Sequence, residues 1–450
     1  MSQQRNHSEL ETKPVGQLLL QYSIPAIIAM TASSLYNIVD SVFIGQGVGP
    51  LAISGLAITF PLMNLSAAFG AMVGVGASTL ISVKMGQRDI STARHILGNT
   101  VTLNLILGVV FGFVVLLFLD PVLRFFGASD ATLPYARDYM EIILLGNVVT
   151  HSYLGFNSVV RSTGHPRMAM IATIATVIIN TVLDPLFIYT FGMGIRGAAI
   201  ATIISQIFAL IYCVSLLSRQ DEEVHFCRNT YKLSRKIVSN TLAIGMSPFL
   251  MNTCACLVVL FINKGLEQYG GDLAIGAYGI VNRIVFFFIM IVIGLNQGMQ
   301  PIAGFNFGAR RIDRVMKVLR YAIIYATAIT FTGFVVGEFF PELCARMFTT
   351  DKQLIDLSVG GMRIVFMSFL LIGAQMVTTN FFQSIGYAKI SIFLSLTRQL
   401  IFLLPGLLIL PMFLGVEGVW YSLPMADLLS FIVTIAMLLS YRKKFKLGKI

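Results

Sequence analysis

Apolar runs long enough to cross a bilayer fill this chain and leave little room for any other kind of fold. They fall at 16–42, 52–83, 95–119, 137–160, 168–190, 197–217, 237–262, 273–306, 316–340, 356–383, 389–411 and 416–440. About 20 apolar residues suffice for a helical span, so the expectation is an all-α polytopic membrane protein with twelve transmembrane helices. Only 12% of the residues are charged, against about 25% in a soluble domain, and the connections are too short to hold one. Residues 1–16 lack the charged-then-apolar pattern of a cleavable signal peptide. The first run is expected to be its own insertion signal.

A net charge of +11 in a soluble chain would suggest nucleic acid. Its placement here excludes that reading. Of the 32 Lys and Arg residues, 23 fall at alternate connections, among them Lys84, Arg88 and Arg94, five in 219–236, five in 310–320 and five in 442–449. By the positive-inside rule both termini are cytoplasmic, which requires an even number of spans. The expected location is the cell membrane. The five cysteines (213, 227, 254, 256, 344) show no CxxC spacing, so neither a disulfide framework nor a zinc site is implied.

The longest polar connection, 218–236, splits the runs six and six, and the halves resemble each other at an offset of about 222 residues. Leu51-Ala52-Ile53-Ser54 answers to Leu273-Ala274-Ile275-Gly276; Gly76, Gly86 and Arg88 answer to Gly298, Gly308 and Arg310; Gly164 answers to Gly386. Six-span units repeat in the same orientation, so the halves are related about an axis along the membrane normal, an arrangement that usually encloses a central cavity. The divisions expected are a cytoplasmic segment 1–15, a first lobe 16–217, a linker 218–236, a second lobe 237–440 and a basic tail 441–450. Glycines concentrate in the second and eighth spans (Gly70, Gly74 and Gly76; Gly294, Gly298, Gly304 and Gly308). Such spacing allows close helix packing or a hinge.

The run 168–190 carries Asn180-Thr181-Val182-Leu183-Asp184-Pro185. An ionisable residue at membrane depth is costly, so it is a functional hypothesis by default; the bland alternative is a satisfied polar patch. Asn180 and Asp184 share a helix face. At 1.5 Å per residue Asp184 lies about 9 Å from the outer end of its span, Thr202 about 8 Å, and Asp40 only about 3 Å. Asp40 is accompanied by Tyr36 and Asn37. These residues form an all-oxygen set suited to a hard cation or a shared proton. The second half has Asn263, Phe402, Gly406 and Pro424 at the positions matching Asp40, Asn180, Asp184 and Thr202. The set exists once, which favours an ion site over structure duplicated with the fold.

Other polar residues leave two readings each. His151, mid-span, suits a proton relay or a packing hydrogen bond. Arg398 and Asp427, at comparable depths, suit a structural pair or a substrate contact. Met290 and the run Phe286-Phe287-Phe288 would suit a greasy, adaptable pocket, or lipid contact. No GxxxxGK[ST] loop and no nucleophile–base constellation occurs, so neither ATP use nor enzymatic activity is expected. Energy must then come from an ion gradient.

At these residues the chain resembles the multidrug and toxic compound extrusion (MATE) family over nearly its whole length. The resemblance rests on "PAIIAMTASSLYNIVDSVFIG", "LAISGLAITFP", "VGVGASTLISVKMGQRD", "RSTGHPR" and "NTVLDPLFI". The Asp in span 1 and the Asn…Asp-Pro in span 5 are similar to the DinF/MepA-like branch. The resemblance implies a V-shaped pair of six-helix lobes exporting cationic or amphipathic compounds in exchange for Na⁺ or H⁺, with no other cofactor. It carries the cation site onto Asp40, Asn180, Asp184 and Thr202. Other branches also keep acidic residues in spans 7 and 10; here span 7 has none and span 10 none after Asp356, so no second-lobe coupling site is expected. The expected partners are small molecules and the bilayer, without nucleic acid, and the expected state is a monomer. The alternative is a lipid-linked or specialised-metabolite exporter or flippase of the same superfamily, which more often has a strongly cationic cavity; only Arg283, Arg363 and Arg398 lie within the runs here.

Overall fold

Inside a bilayer no water is available to backbone amides, so a chain this apolar must bond its own backbone, and helices do so within each segment. The computed structural model describes residues 9–446 and holds helices without a strand among them. The first eight residues and the last four of the basic tail lie outside the described residues.

Ten helices are long and apolar enough to cross a membrane. They are span 1 (Val15–Gly47), span 2 (Pro50–Gly86), span 3 (Ile90–Leu117), span 5 (Pro166–Thr190), span 6 (Gly194–Leu217), span 7 (Arg235–Gly271), span 8 (Leu273–Gly308), span 9 (Ile312–Phe339), span 11 (Ala388–Leu414) and span 12 (Val416–Tyr441). Span 10 is a pair, Lys352–Phe366 and Phe369–Ser384, bent by 51°. The expected fourth span is instead two helices, Leu133–Leu145 and Asn147–Ser162, meeting at Gly146. Arg137, Asp138, Glu141, Asn147 and His151 make it too polar, and each half too short, to count as an apolar span in its own right. Ten helices and the bent pair pass the length and composition test as eleven spans, and this broken pair stands as span 4, completing the first half to six.

The repeat is written in the backbone. Arg88 and Arg310 both adopt the left-handed conformation, φ 61° and 58°, which non-glycine residues rarely do. Gly49 (φ 115°) pairs with Gly271 (67°), and Gly164 (101°) with Gly386 (83°). The short helix Leu119–Phe125 after span 3 has its counterpart in Pro341–Arg346 after span 9.

Three hydrophobic cores explain the two-lobed V shape. At the face carrying the chain termini, one core joins both halves: Leu18, Tyr22, Ile81 and Met85 pack with Met299, Ile302, Phe305, Val318 and Phe381. Toward the far face each lobe has its own core, with Ile44, Leu62, Tyr139 and Ile188 in the first and Leu266, Phe366, Phe369 and Trp420 in the second. The joint depends on missing side chains, because lipid is as apolar as leucine and helix pairing in a bilayer rests on close packing. A methyl group at Gly86 would overlap the Phe305 carbonyl, and one at the repeat-related Gly308 would overlap that of Val83. Gly294 and Gly298 press on Ile27 and Ser23 of span 1. Gly76, Gly86, Gly294, Gly298 and Gly308 thus lie at contacts between the lobes, whereas Gly70 and Gly74 pack on span 4 within the first.

Polar straps reinforce the same face. Arg314 donates to the carbonyls of Leu10 (3.1 Å) and Lys13 (2.8 Å), and Arg311 pairs with Glu11 at 3.0 Å, tying the segment before span 1 to the second lobe. Asn99 donates to the carbonyls of Thr230 and Lys232, both at 3.1 Å, tying the segment before span 7 to the first.

Candidate functional site

The acidic cluster lies in the first lobe, on four helices. Span 1 continues to Gly47, further than its apolar run ends, so Asp40 sits about 10 Å inside the helix end rather than about 3 Å. Span 6 starts at Gly194, which puts Thr202 about 12 Å deep. Pro185, lacking an amide, is followed by one π-helical turn over Leu186–Thr190, and Asp184 stays about 9 Å from that end. The three side chains thus reach nearly one level. Asp184 and Asn180 are 0% exposed, Asp40 5% and Thr202 7%.

The geometry among them is specific. The carboxyl groups of Asp40 and Asp184 lie within reach of each other; ionised carboxylates only accept, so two such groups side by side favour a shared proton or a cation. With its nitrogen toward the acid, Asn180 donates to Asp184 Oδ2 at 2.9 Å and accepts from the Thr202 backbone amide at 3.1 Å. The Thr202 hydroxyl donates to the Ala198 carbonyl at 3.0 Å and faces the Tyr36 hydroxyl at 3.3 Å. Oδ1 of Asp40 and Oδ1 of Asp184 have no partner among the described residues. A buried acceptor left unpaired costs free energy. Two orphaned carboxyl oxygens, with an amide and a hydroxyl beside them, fit a hard monovalent cation or a proton.

Tyr139 completes the cluster, although the pattern of residues along the chain does not single it out. It is buried and lies within electrostatic reach of Asp40 and Asp184. Its one sequence signal is slight, a tyrosine in a segment crowded with Arg137, Asp138 and Glu141. Of the residues near Asp40, Tyr36 joins the cluster because it lies one turn back on the same face. Asn37 does not: it is exposed and donates to the Ser33 carbonyl at 3.0 Å.

His151 is elsewhere. It follows Tyr139 in the same segment by about 18 Å of helix. It is fully buried, with Nε2 3.4 Å from the Ser66 hydroxyl, which in turn donates to Asn147. Gly70 packs against its ring. In the second lobe Arg398 Nε donates to Asp427 Oδ1 at 2.6 Å, and Ser368, from the break in span 10, donates to Oδ2 at 3.0 Å. The three successive phenylalanines part company: Phe288 enters the second-lobe core while Phe286 and Phe287 are exposed. Met290 is half-buried beside them.

The second lobe has no copy of the acidic cluster. Gly361 stands where the offset would place the partner of Tyr139, and the indole of Trp420 fills the space above it, 2.6 Å from a methyl placed there. Gly406 and Pro424 are buried at the positions matching Asp184 and Thr202.

Two six-helix lobes joined at one face, with a buried pair of acids in the first only, describe a membrane transporter. A family model described as MatE matches residues 25–186 and 243–408. The chain belongs to the MATE family. Multidrug export protein MepA of Staphylococcus haemolyticus (strain JCSC1435) is 28% identical over 441 residues, 98% of this chain and 96% of that protein. The solved structure of the MATE multidrug transporter DinF-BH is similar with a TM-score of 0.88 at 36% identity, over 96% of both chains. A structure described as the outward-facing conformation of a multidrug resistance MATE family transporter matches at a TM-score of 0.91 and 26% identity, over 98% of each chain.

Proposed function

We propose that the chain is a secondary active multidrug efflux antiporter, exporting cationic and amphipathic organic compounds in exchange for Na⁺ or H⁺. The observation that carries this reading is the pair of orphaned oxygens on Asp40 and Asp184, buried at one level of one lobe. A cation or a proton there relieves the unpaired acceptors, and a cationic substrate competes for the same negative charge. Asn180, Thr202, Tyr36 and Tyr139 position the carboxyls. The descriptions of the relatives as multidrug export proteins support the substrate class. The crowding of Lys and Arg at the terminal face supports placing that face in the cytoplasm. The joint core at that face would then close the cytoplasmic side while the far side parts. One charge moving with the membrane potential supplies about 2.3 kcal/mol per 100 mV.

The test is reconstitution in liposomes with a cationic dye, under separately imposed Na⁺ and pH gradients, with Asp184→Asn in parallel. Dye export driven by one gradient and lost in the variant is the expected result and names the ion. Failure of both gradients to move the dye would overturn the multidrug reading in favour of a lipid or specialised-metabolite exporter.

A further inference from the structure

The second lobe carries charge of the opposite kind at nearly the same place. Subtracting the repeat offset puts Arg398 at the position of Thr176, one turn from Asn180 on the face that bears Asp184, and Asp427 at that of Ser205, three residues from Thr202. The face that holds the acids in the first lobe therefore holds a guanidinium in the second. The local backbone is built for it: Arg398 lies in a π-helical turn, Thr397–Leu403, shortly before Pro405. Such turns insert an extra residue, re-aim the side chains and are frequent at functional sites. Span 11 has this turn nearer its middle than span 5 does, so the re-aiming is not an inheritance from the repeat.

Asp427 orients the guanidinium without covering it. Nε is held at 2.6 Å by Oδ1 of Asp427, whose other oxygen takes the Ser368 hydroxyl at 3.0 Å. Asp427 is 1% exposed whereas the Arg398 side chain is 25% exposed. Neither Nη atom bonds any group among the described residues. The fork between the two Nη atoms has the geometry that grips a planar oxyanion with two parallel hydrogen bonds. A guanidinium needed only to satisfy Asp427 would bury that edge.

We propose that Arg398 is a recognition site for an anionic group, a carboxylate or phosphate, on the transported compound, with Asp427 and Ser368 as positioning residues. This rests on the exporter reading and extends its substrate class from cations to zwitterions, whose ammonium end would face the first-lobe acids. The same chemistry could instead hold a lipid phosphate, which the test separates.

The probes are tetramethylrhodamine methyl ester, a cation, and tetramethylrhodamine, the free acid with the same ring system. Binding is followed by fluorescence anisotropy on the full-length protein in detergent. Arg398→Met combined with Asp427→Leu removes both charges together, so no buried charge is left unpaired and folding is spared. The double variant should bind the free acid about tenfold or more weaker while its affinity for the ester stays within about twofold. Asp427→Asn, which leaves Arg398 uncompensated, should tighten the free acid relative to the ester. Equal changes for both dyes, or none, would overturn the proposal. So would displacement of the free acid by added phosphatidylglycerol, which would assign the site to a lipid headgroup. If the wild-type protein binds the ester and not the acid, this proposal falls and the exporter reading stands; if it binds neither, both fall.

Discussion

Asp40 and Asp184 come from separate helices of the first lobe, yet their carboxyl groups lie within reach of each other while one oxygen of each stays without a partner among the described residues. On the proposed function, two acids so placed would hold one proton between them or admit a cation. Either change alters the charge of a site buried beside span 1, the helix that also packs on the second lobe through Gly294 and Gly298. The site and the interlobe joint thus share a helix.

Replacing Asp40 or Asp184 by Asn keeps the shape and removes the charge. Gradient-driven efflux should fall at least about tenfold in either variant, while expression and thermal stability are maintained, because an amide in place of one of two adjacent buried acids relieves like-charge repulsion and desolvation cost. Efflux at the wild-type rate in both variants would contradict the site assignment.

Tyr139→Phe removes one hydroxyl from the cluster and leaves the packing intact. Losing that polar group beside the acids, at about 1 kcal/mol, should weaken the apparent affinity for the coupling ion roughly fivefold, read from the ion dependence of dye efflux. The maximal rate at saturating ion should be unchanged.

Gly86→Val or Gly308→Val puts side-chain carbon where a backbone carbonyl of the other lobe lies. Each should cost about 1–3 kcal/mol of overpacking, felt only when the lobes are joined at the terminal face. Spin labels at the exposed Gln87 and Lys317 should report a longer distance in these variants. An unchanged distance distribution would remove these glycines from the joint.

His151→Gln tests the relay reading. The ring bonds Ser66 far from the acids, so efflux and its ion dependence should stay within about twofold, with stability lower by about 1–2 kcal/mol. Loss of coupling without loss of stability would restore a proton-transfer role to His151.

By itself the sequence determined that this is a polytopic helical membrane protein with a duplicated half and an acidic set in one half only. Those properties are local: apolar length, residue spacing and charge placement follow from water and lipid acting on each segment. The offset linking Gly86 and Arg88 to Gly308 and Arg310 even foretells matching left-handed turns. The depth of Asp40 is not legible there, because a helix continues past the end of its apolar run when its backbone bonds and its packing against span 5 favour it. Only the tertiary structure decided that Tyr139 joins the acids while Asn37 and His151 do not, that Trp420 closes the equivalent space in the second lobe, and that the lobes share a core at one face alone. Those outcomes depend on which helix faces meet, and contacts between residues distant in the chain have no signature in the spacing along it.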